Sequence, residues 1–81
     1  MLTVTLYTKD GCGLCDEVKV ELTELAQEFP HKLQEVDITK DSDLFARYRF
    51  AIPVVKIGDK TLKAPITRFQ LQTALQSATP K

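Results

Sequence analysis

The chain lacks net charge: eleven basic residues are balanced by eleven acidic ones over 81 positions. Such a balance offers no phosphate-tracking surface, which argues against a nucleic-acid partner. No hydrophobic run approaches the length of a membrane span, so no membrane partner is expected either. No signal peptide is visible, because the N-terminus enters an alternating segment at once, and a cytoplasmic location is expected. Repeats, linkers and low-complexity stretches are missing too, so residues 1–81 are expected to form a single domain. Thiol and imidazole ligands for a metal are scarce. Beyond two cysteines there is only His31, whereas zinc usually takes four protein ligands. The chain as a whole is 43% hydrophobic and 27% charged, the balance of an ordinary globular protein. A chain this short holds one core and depends on packing it well.

The two cysteines stand at Gly11-Cys12-Gly13-Leu14-Cys15. An alternating segment, Thr3 to Tyr7, precedes them, and a helical pattern running to Phe29 follows. The pair therefore falls where a strand turns into the first turn of a helix. The first N–H groups of a helix have no intrahelical partner, and the helix dipole places positive charge there. Both lower the pKa of a thiol. The spacing lets the second thiol reach the first, so a disulfide can form and break within one turn. Gly11 and Gly13 are expected to free the turn and leave the sulfur accessible. Two other readings use the same residues. The cysteines could hold zinc or an iron–sulfur cluster between two chains, or remain as an inactive pair in an interaction domain. In a reducing cytoplasm a close-spaced pair is more often catalytic than structural.

Residues 2–8 alternate Leu2, Val4 and Leu6 with Thr3, Thr5 and Tyr7, a strand pattern. Val18, Leu22, Leu25, Ala26 and Phe29 trace one helical face from Cys15 onward, and Pro30 ends it. Glu17, Lys19, Glu21, Glu24 and Gln27 are expected in solvent. His31 reads as a surface histidine beyond a helix end. Residues 32–38 read as a second strand, parallel to the first through a right-handed crossover. Cap residues at 39–42 introduce a short helix carrying Leu44 and Tyr48. Ile52-Pro53-Val54-Val55-Lys56-Ile57 begins a third strand, where proline is allowed at the start. Gly58-Asp59 suits a two-residue hairpin with Gly first. Its register would set Val55 opposite Leu62. Thr67-Arg68-Phe69-Gln70 has the form of a capping box, with Ile66 and Leu71 placed for a hydrophobic staple. Leu71, Ala74, Leu75 and Ala78 share one side of that last helix. Thr79-Pro80-Lys81 is expected to fray.

The Leu6-Tyr7-Thr8-Lys9-x-Gly11-Cys12-x-x-Cys15 run and the Ile52-Pro53-Val54 step resemble those of a glutaredoxin-like protein of the thioredoxin superfamily. The resemblance implies an α/β protein with the minimal thioredoxin fold. That fold has a four-stranded mixed sheet and three helices, in the order β-α-β-α-β-β-α. It implies a thiol–disulfide oxidoreductase with Cys12 as nucleophile and Cys15 as resolving thiol. It also implies a cis peptide before Pro53 and a substrate site that includes Lys9, Gly11, Ile52, Pro53 and Arg49. Lys9 would meet a glutathione carboxylate, with Arg47 or Arg49 as a second charge. The implied partners are a disulfide-containing protein or glutathione, with glutathione as reductant, no bound cofactor, no metal and a monomeric chain. Three departures stand out. Gly13-Leu14 fills the motif where glutaredoxins usually have Pro-Tyr. Ala51 replaces a usual Thr. The Gly-Gly-x-Asp turn that grips the γ-glutamyl end of glutathione is replaced by Lys63-Ala64-Pro65-Ile66. Weak glutathione-coupled activity is therefore expected. Asp10, Asp16 and Glu17 surround Cys12 in sequence against Lys9 alone, which sets an expected Cys12 pKa of roughly 6–8.

Overall fold

The computed structural model describes residues 2–79, so Pro80 and Lys81 of the expected frayed end lie outside the described residues. Strand β1 (Leu2–Thr8) is followed by helix α1 (Gly13–Leu25), strand β2 (His31–Asp37), a 3-10 turn (Ile38–Lys40) and helix α2 (Ser42–Tyr48). Strands β3 (Val54–Ile57) and β4 (Lys60–Lys63) and helix α3 (Arg68–Ala78) complete the chain. The sheet runs β2-β1-β3-β4. β1 and β2 are parallel, with Val4 beside Leu33, while β3 is antiparallel to both β1 and β4. The expected fold class and element order are those observed.

The strand alternation becomes two cores on opposite faces of the sheet. Val4 and Leu6 of β1 and Val55 and Ile57 of β3 pack with Val18, Leu22 and Leu25 of α1 and with Leu71, Ala74 and Leu75 of α3. On the other face Val54 packs with Ile38 and Tyr48, with Tyr7, Leu44 and Ile52 beside them. α1 and α3 thus share one layer, and α2 covers the other. Each fully buried Leu, Ile or Val contributes about 1.5–3 kcal/mol relative to exposure. The register follows the side chains: Val55 lies opposite Leu62, as expected. A one-residue slip would turn every apolar side chain of β3 to the wrong face.

Three boundaries differ from the sequence expectation, each for a local reason. Helix α1 ends at Leu25 rather than continuing to Phe29. Gln27 and Glu28 donate three residues back, to Glu24 and Leu25, so the chain tightens before Pro30. Strand β2 starts at His31 and stops at Asp37, one residue early at each end. Asp37 Oδ1 accepts from the Thr39 N–H at 2.9 Å and the Thr39 hydroxyl at 2.6 Å, which bends Ile38 into the 3-10 turn. His31 Nδ1 sits 2.8 Å from the Phe29 carbonyl. The β3–β4 hairpin has Gly58 at φ +61, and no non-glycine residue has positive φ among the described residues. Positive φ at the first central position alone is the II′ pattern. The capping box at α3 is complete. Gln70 N–H donates to Thr67 Oγ1 at 3.1 Å, and Thr67 N–H donates to Gln70 Oε1 at 2.8 Å.

Candidate active site

β1 delivers the chain to the top of the sheet, and Gly11 turns it into α1. Gly11 has φ +80, a backbone state that L side chains rarely adopt. Gly13, in contrast, is the first residue of the helix with no positive φ, so the turn needs only one of the two glycines. A Cβ on Gly13 would meet nothing within 4 Å, so this residue leaves the surface beside the sulfur open.

Cys12 is the N-cap of α1. Its sulfur accepts from the Cys15 backbone N–H at 3.1 Å, and its carbonyl accepts the Asp16 N–H at 3.1 Å. One of the orphan donors of the helix start is therefore aimed at Cys12 Sγ. Cys12 and Cys15 form a disulfide, the oxidised state of the pair. The two sulfurs are not equivalent. Cys12 is half-buried, whereas Cys15 is only 1% exposed and sits at the edge of the core.

The Ile52–Pro53 peptide is cis, as expected, and Pro53 is buried. A second cis peptide, Ala64–Pro65, was not foreseen. The two proline loops are tied together: the Ala64 N–H donates to the Pro53 carbonyl at 3.1 Å and to the Ala51 carbonyl at 3.3 Å. Ile52 N–H is also engaged, donating to the Tyr48 carbonyl at 3.1 Å.

Two depressions flank the motif. An open one of about 450 Å³ is lined by Thr8, Lys9, Asp10, Gly11, Asp16, Glu35 and Asp37. Lys9 and Gly11 meet here, in acidic company. Thr39 holds the Asp37 carboxyl below its usual value, chiefly through its hydroxyl and then its backbone N–H. A smaller cleft of about 110 Å³ lies on the other side, between α1 and the two prolines. Leu14, Glu17, Val18 and Glu21 form its helical wall, and Pro53, Ala64, Pro65 and Ile66 form the opposite wall. Arg49 lines neither depression. Its guanidinium lies 4.6 Å from the Phe50 ring centroid and 5.8 Å from that of Phe45. Of the expected substrate residues, Lys9 and Gly11 thus line one depression and Pro53 the other, while Ile52 and Arg49 line neither.

The helical wall of the cleft was missed in the sequence. Leu14, Glu17, Val18 and Glu21 follow the spacing of a single helix face. That spacing is readable in the sequence, but the polar character of positions 17 and 21 points to solvent. Glu17 is exposed as expected. Glu21 is not simply solvated: its Oε2 is shielded and has no hydrogen-bond partner among the described residues. Of the other charged residues on α1, Lys19 pairs with Glu35 at 3.1 Å and Glu24 with Arg68 at 2.8 Å.

A strand–helix junction bearing a Cys-x-x-Cys disulfide, on a β2-β1-β3-β4 sheet with a cis-proline before β3, defines a protein of the thioredoxin superfamily. Solved structures agree. Thioredoxin O2 from Arabidopsis thaliana in its oxidised state superposes with a TM-score of 0.76 at 18% identity, covering 99% of this chain and 76% of that one. Within that class the chain belongs to the glutaredoxin-like domain family (DUF836), whose model matches residues 3–76. Target protein XcR50 from X. campestris is 30% identical, covers 93% of this chain and 97% of its own, and gives a TM-score of 0.76. Protein Ne2328 from Nitrosomonas europaea is 23% identical over 89% of this chain and 88% of that one, also with a TM-score of 0.76.

Proposed function

We propose that the protein is a thiol–disulfide oxidoreductase that reduces disulfides through a mixed-disulfide intermediate. The observation that carries this reading is the bonded Cys12–Cys15 pair at a helix start, with Cys12 the more exposed of the two and its sulfur receiving a backbone N–H. In the reduced protein Cys12 attacks one sulfur of a substrate disulfide. The substrate S–S bond breaks, and the departing thiolate takes a proton. Cys15, deprotonated, then attacks Cys12 Sγ; the mixed disulfide breaks and the second substrate thiol leaves. The substrate gains two electrons and two protons, and the protein ends as the disulfide. The burial of Cys15 supports this division of labour, because an incoming substrate meets Cys12 first.

Around the sulfurs, Ile52 and Pro53 would support the substrate chain, while Lys9, Gly11 and Arg49 would bound its approach. Two electrons must return from a thiol reductant, for which glutathione or a dithiol protein is suitable. We place the protein in the cytoplasm, acting as a monomer without bound cofactor. Among the described residues no helix is long and apolar enough to cross a membrane.

The test is trapping. Cys15→Ser should hold substrate proteins on Cys12 as mixed disulfides that a reductant releases. Cys12→Ser should trap none. If neither variant traps a partner and the wild type does not reduce insulin, the oxidoreductase reading fails. Visible absorbance and bound metal in the purified protein would then point to a cluster or zinc shared between chains.

A further inference from the structure

The cleft beside Leu14 carries more information than its apolar walls. We propose that it selects polypeptide disulfides in which a lysine or arginine lies next to the reactive cysteine. This inference rests on the oxidoreductase reading and names the substrate class of that site.

Leu14 lies inside the motif, between the two cysteines, and is 60% exposed. It opens a wall that continues through Glu17 and Val18 to Glu21, opposite Pro53, Ala64, Pro65 and Ile66. Seven residues of helix advance roughly 10 Å, a span that a long side chain beside the docked cysteine and the Glu21 side chain, tilted toward the helix start, close together. A residue flanking a cysteine docked at Cys12 would reach along this wall.

Charge comes next. Among the described residues, the titratable groups lining the cleft are Glu17 and Glu21, and no lysine, arginine or histidine lines it. The ion pairs of the described residues engage Lys19, Glu35, Glu24 and Arg68, and leave both cleft carboxylates out. Glu21 Oε2 is shielded from solvent, with no donor to meet it among the described residues. A carboxylate oxygen in that condition costs stability until a donor arrives. A cationic side chain supplies the donor and the compensating charge together.

Shape agrees with charge. Lysine and arginine carry an aliphatic stem ahead of the charged head. Leu14, Val18, Pro65 and Ile66 would receive the stem, and Glu17 and Glu21 the head. Glutathione fits less well. Its one ammonium adjoins an α-carboxylate, so bringing the cation to Glu21 brings an anion too. Like charge brought into a partly shielded site is a strong element of discrimination.

The experiment compares three peptide disulfides of equal length, each with a cysteine flanked by Arg, Gln or Glu and capped by the same small neutral thiol. Rates of reduction by the reduced protein are measured at low salt. The Arg peptide should exceed the Glu peptide by about tenfold or more, since close charge pairs govern both encounter and discrimination. In Glu17→Gln/Glu21→Gln that ratio should fall to within about twofold. Glu28→Gln, a carboxylate on the exposed surface away from the cleft, should keep it. Equal rates for the three peptides, a ratio unchanged in the double variant, or faster reduction of glutathione disulfide than of the Arg peptide would each overturn the proposal and leave the oxidoreductase reading standing. If no peptide is reduced at all, that reading falls instead. Selectivity is then decided by binding to the Cys12→Ser/Cys15→Ser protein, followed through the backbone amide signals of Leu14, Glu17 and Glu21. Stronger perturbation by the Arg peptide supports the cleft assignment, and equal or absent perturbation overturns it.

Discussion

At the scale of single residues, the motif depends on two backbone facts and one side-chain fact. Gly11 occupies a positive-φ turn, whereas Gly13 is an ordinary helical residue with free space around it. Gly11→Ala should therefore destabilise the oxidised protein by roughly 1–2 kcal/mol, the cost of an L residue in the left-handed region. Gly13→Ala should be neutral or stabilising by up to ~1 kcal/mol, since alanine is the better helix former. Thermal unfolding of the two variants checks both, and equal losses would contradict the assignment. The side-chain fact is that the Cys15 N–H points at Cys12 Sγ at 3.1 Å. In the reduced protein the same donor would stabilise a Cys12 thiolate, while the carboxylates of Asp10, Asp16 and Glu17 oppose it. The helix start and this donor should lower the Cys12 thiol pKa from that of a free thiol. Thiolate absorbance and the alkylation rate should rise together as that thiol ionises, with Cys12 the faster thiol. Equal, slow alkylation of both cysteines in the folded protein would contradict this assignment.

At the scale of elements, the caps decide where each helix begins. Cys12 caps α1, Asp41 caps α2 with contacts to the Asp43 and Leu44 N–H groups, and Thr67 caps α3. Thr67→Ala removes one half of a reciprocal pair and should cost ~1 kcal/mol. In a domain of this size that lowers the melting temperature by about 4–8 °C. An unchanged melting temperature would show that packing of Leu71 and Leu75 alone holds the helix. The turn after β2 depends on an ionised carboxylate. Asp37 has its pKa lowered from 3.8 by the Thr39 hydroxyl and N–H. A group with a depressed folded pKa contributes stability above its unfolded pKa and loses it as pH falls through the folded one. The Thr39 amide signal should therefore shift with pH about a midpoint below 3.8. A midpoint above 3.8 would contradict the assigned hydrogen bonds.

At the scale of the whole molecule, a four-stranded sheet with a core on each face brings three distant segments to one edge of α1: the motif, the Pro53 loop and the Ala64–Pro65 loop. Where a glutaredoxin would hold the γ-glutamyl end of glutathione, this chain places Lys63-Ala64-Pro65-Ile66, with Ala64 N–H already bonded to Pro53 and Ala51. Polar groups of a ligand left without partners reduce affinity. A glutathione-coupled assay should thus give about tenfold or more lower turnover than a typical glutaredoxin, with clear reduction of polypeptide disulfides alongside it. Robust glutathione turnover abolished by Lys9→Ala would show that the acidic depression around Lys9 binds the tripeptide despite the missing loop.

Much of this was legible in the residues themselves. Alternation in Leu2–Thr8, the helical face of Val18, Leu22 and Leu25, the Gly58-Asp59 turn and the Thr67–Gln70 box are local patterns, and local patterns report backbone periodicity and capping directly. They determined the elements, their order and the position of the cysteines at a helix start. The resemblance added the cis-proline before Val54 and the roles expected of Cys12 and Cys15. Boundaries were less legible, because the Asp37 cap and the tightened turn after Leu25 depend on single hydrogen bonds. The cleft was not legible at all. Glu17 and Glu21 read as solvated positions on a polar face, and nothing local distinguishes them from Lys19 or Glu24. Only the packing of α1 against loops some forty residues distant in sequence shields Glu21 Oε2 and leaves it without a donor among the described residues. Periodicity determines which side chains share a face, but desolvation depends on what the rest of the chain brings over that face, and that is a property of the tertiary structure alone.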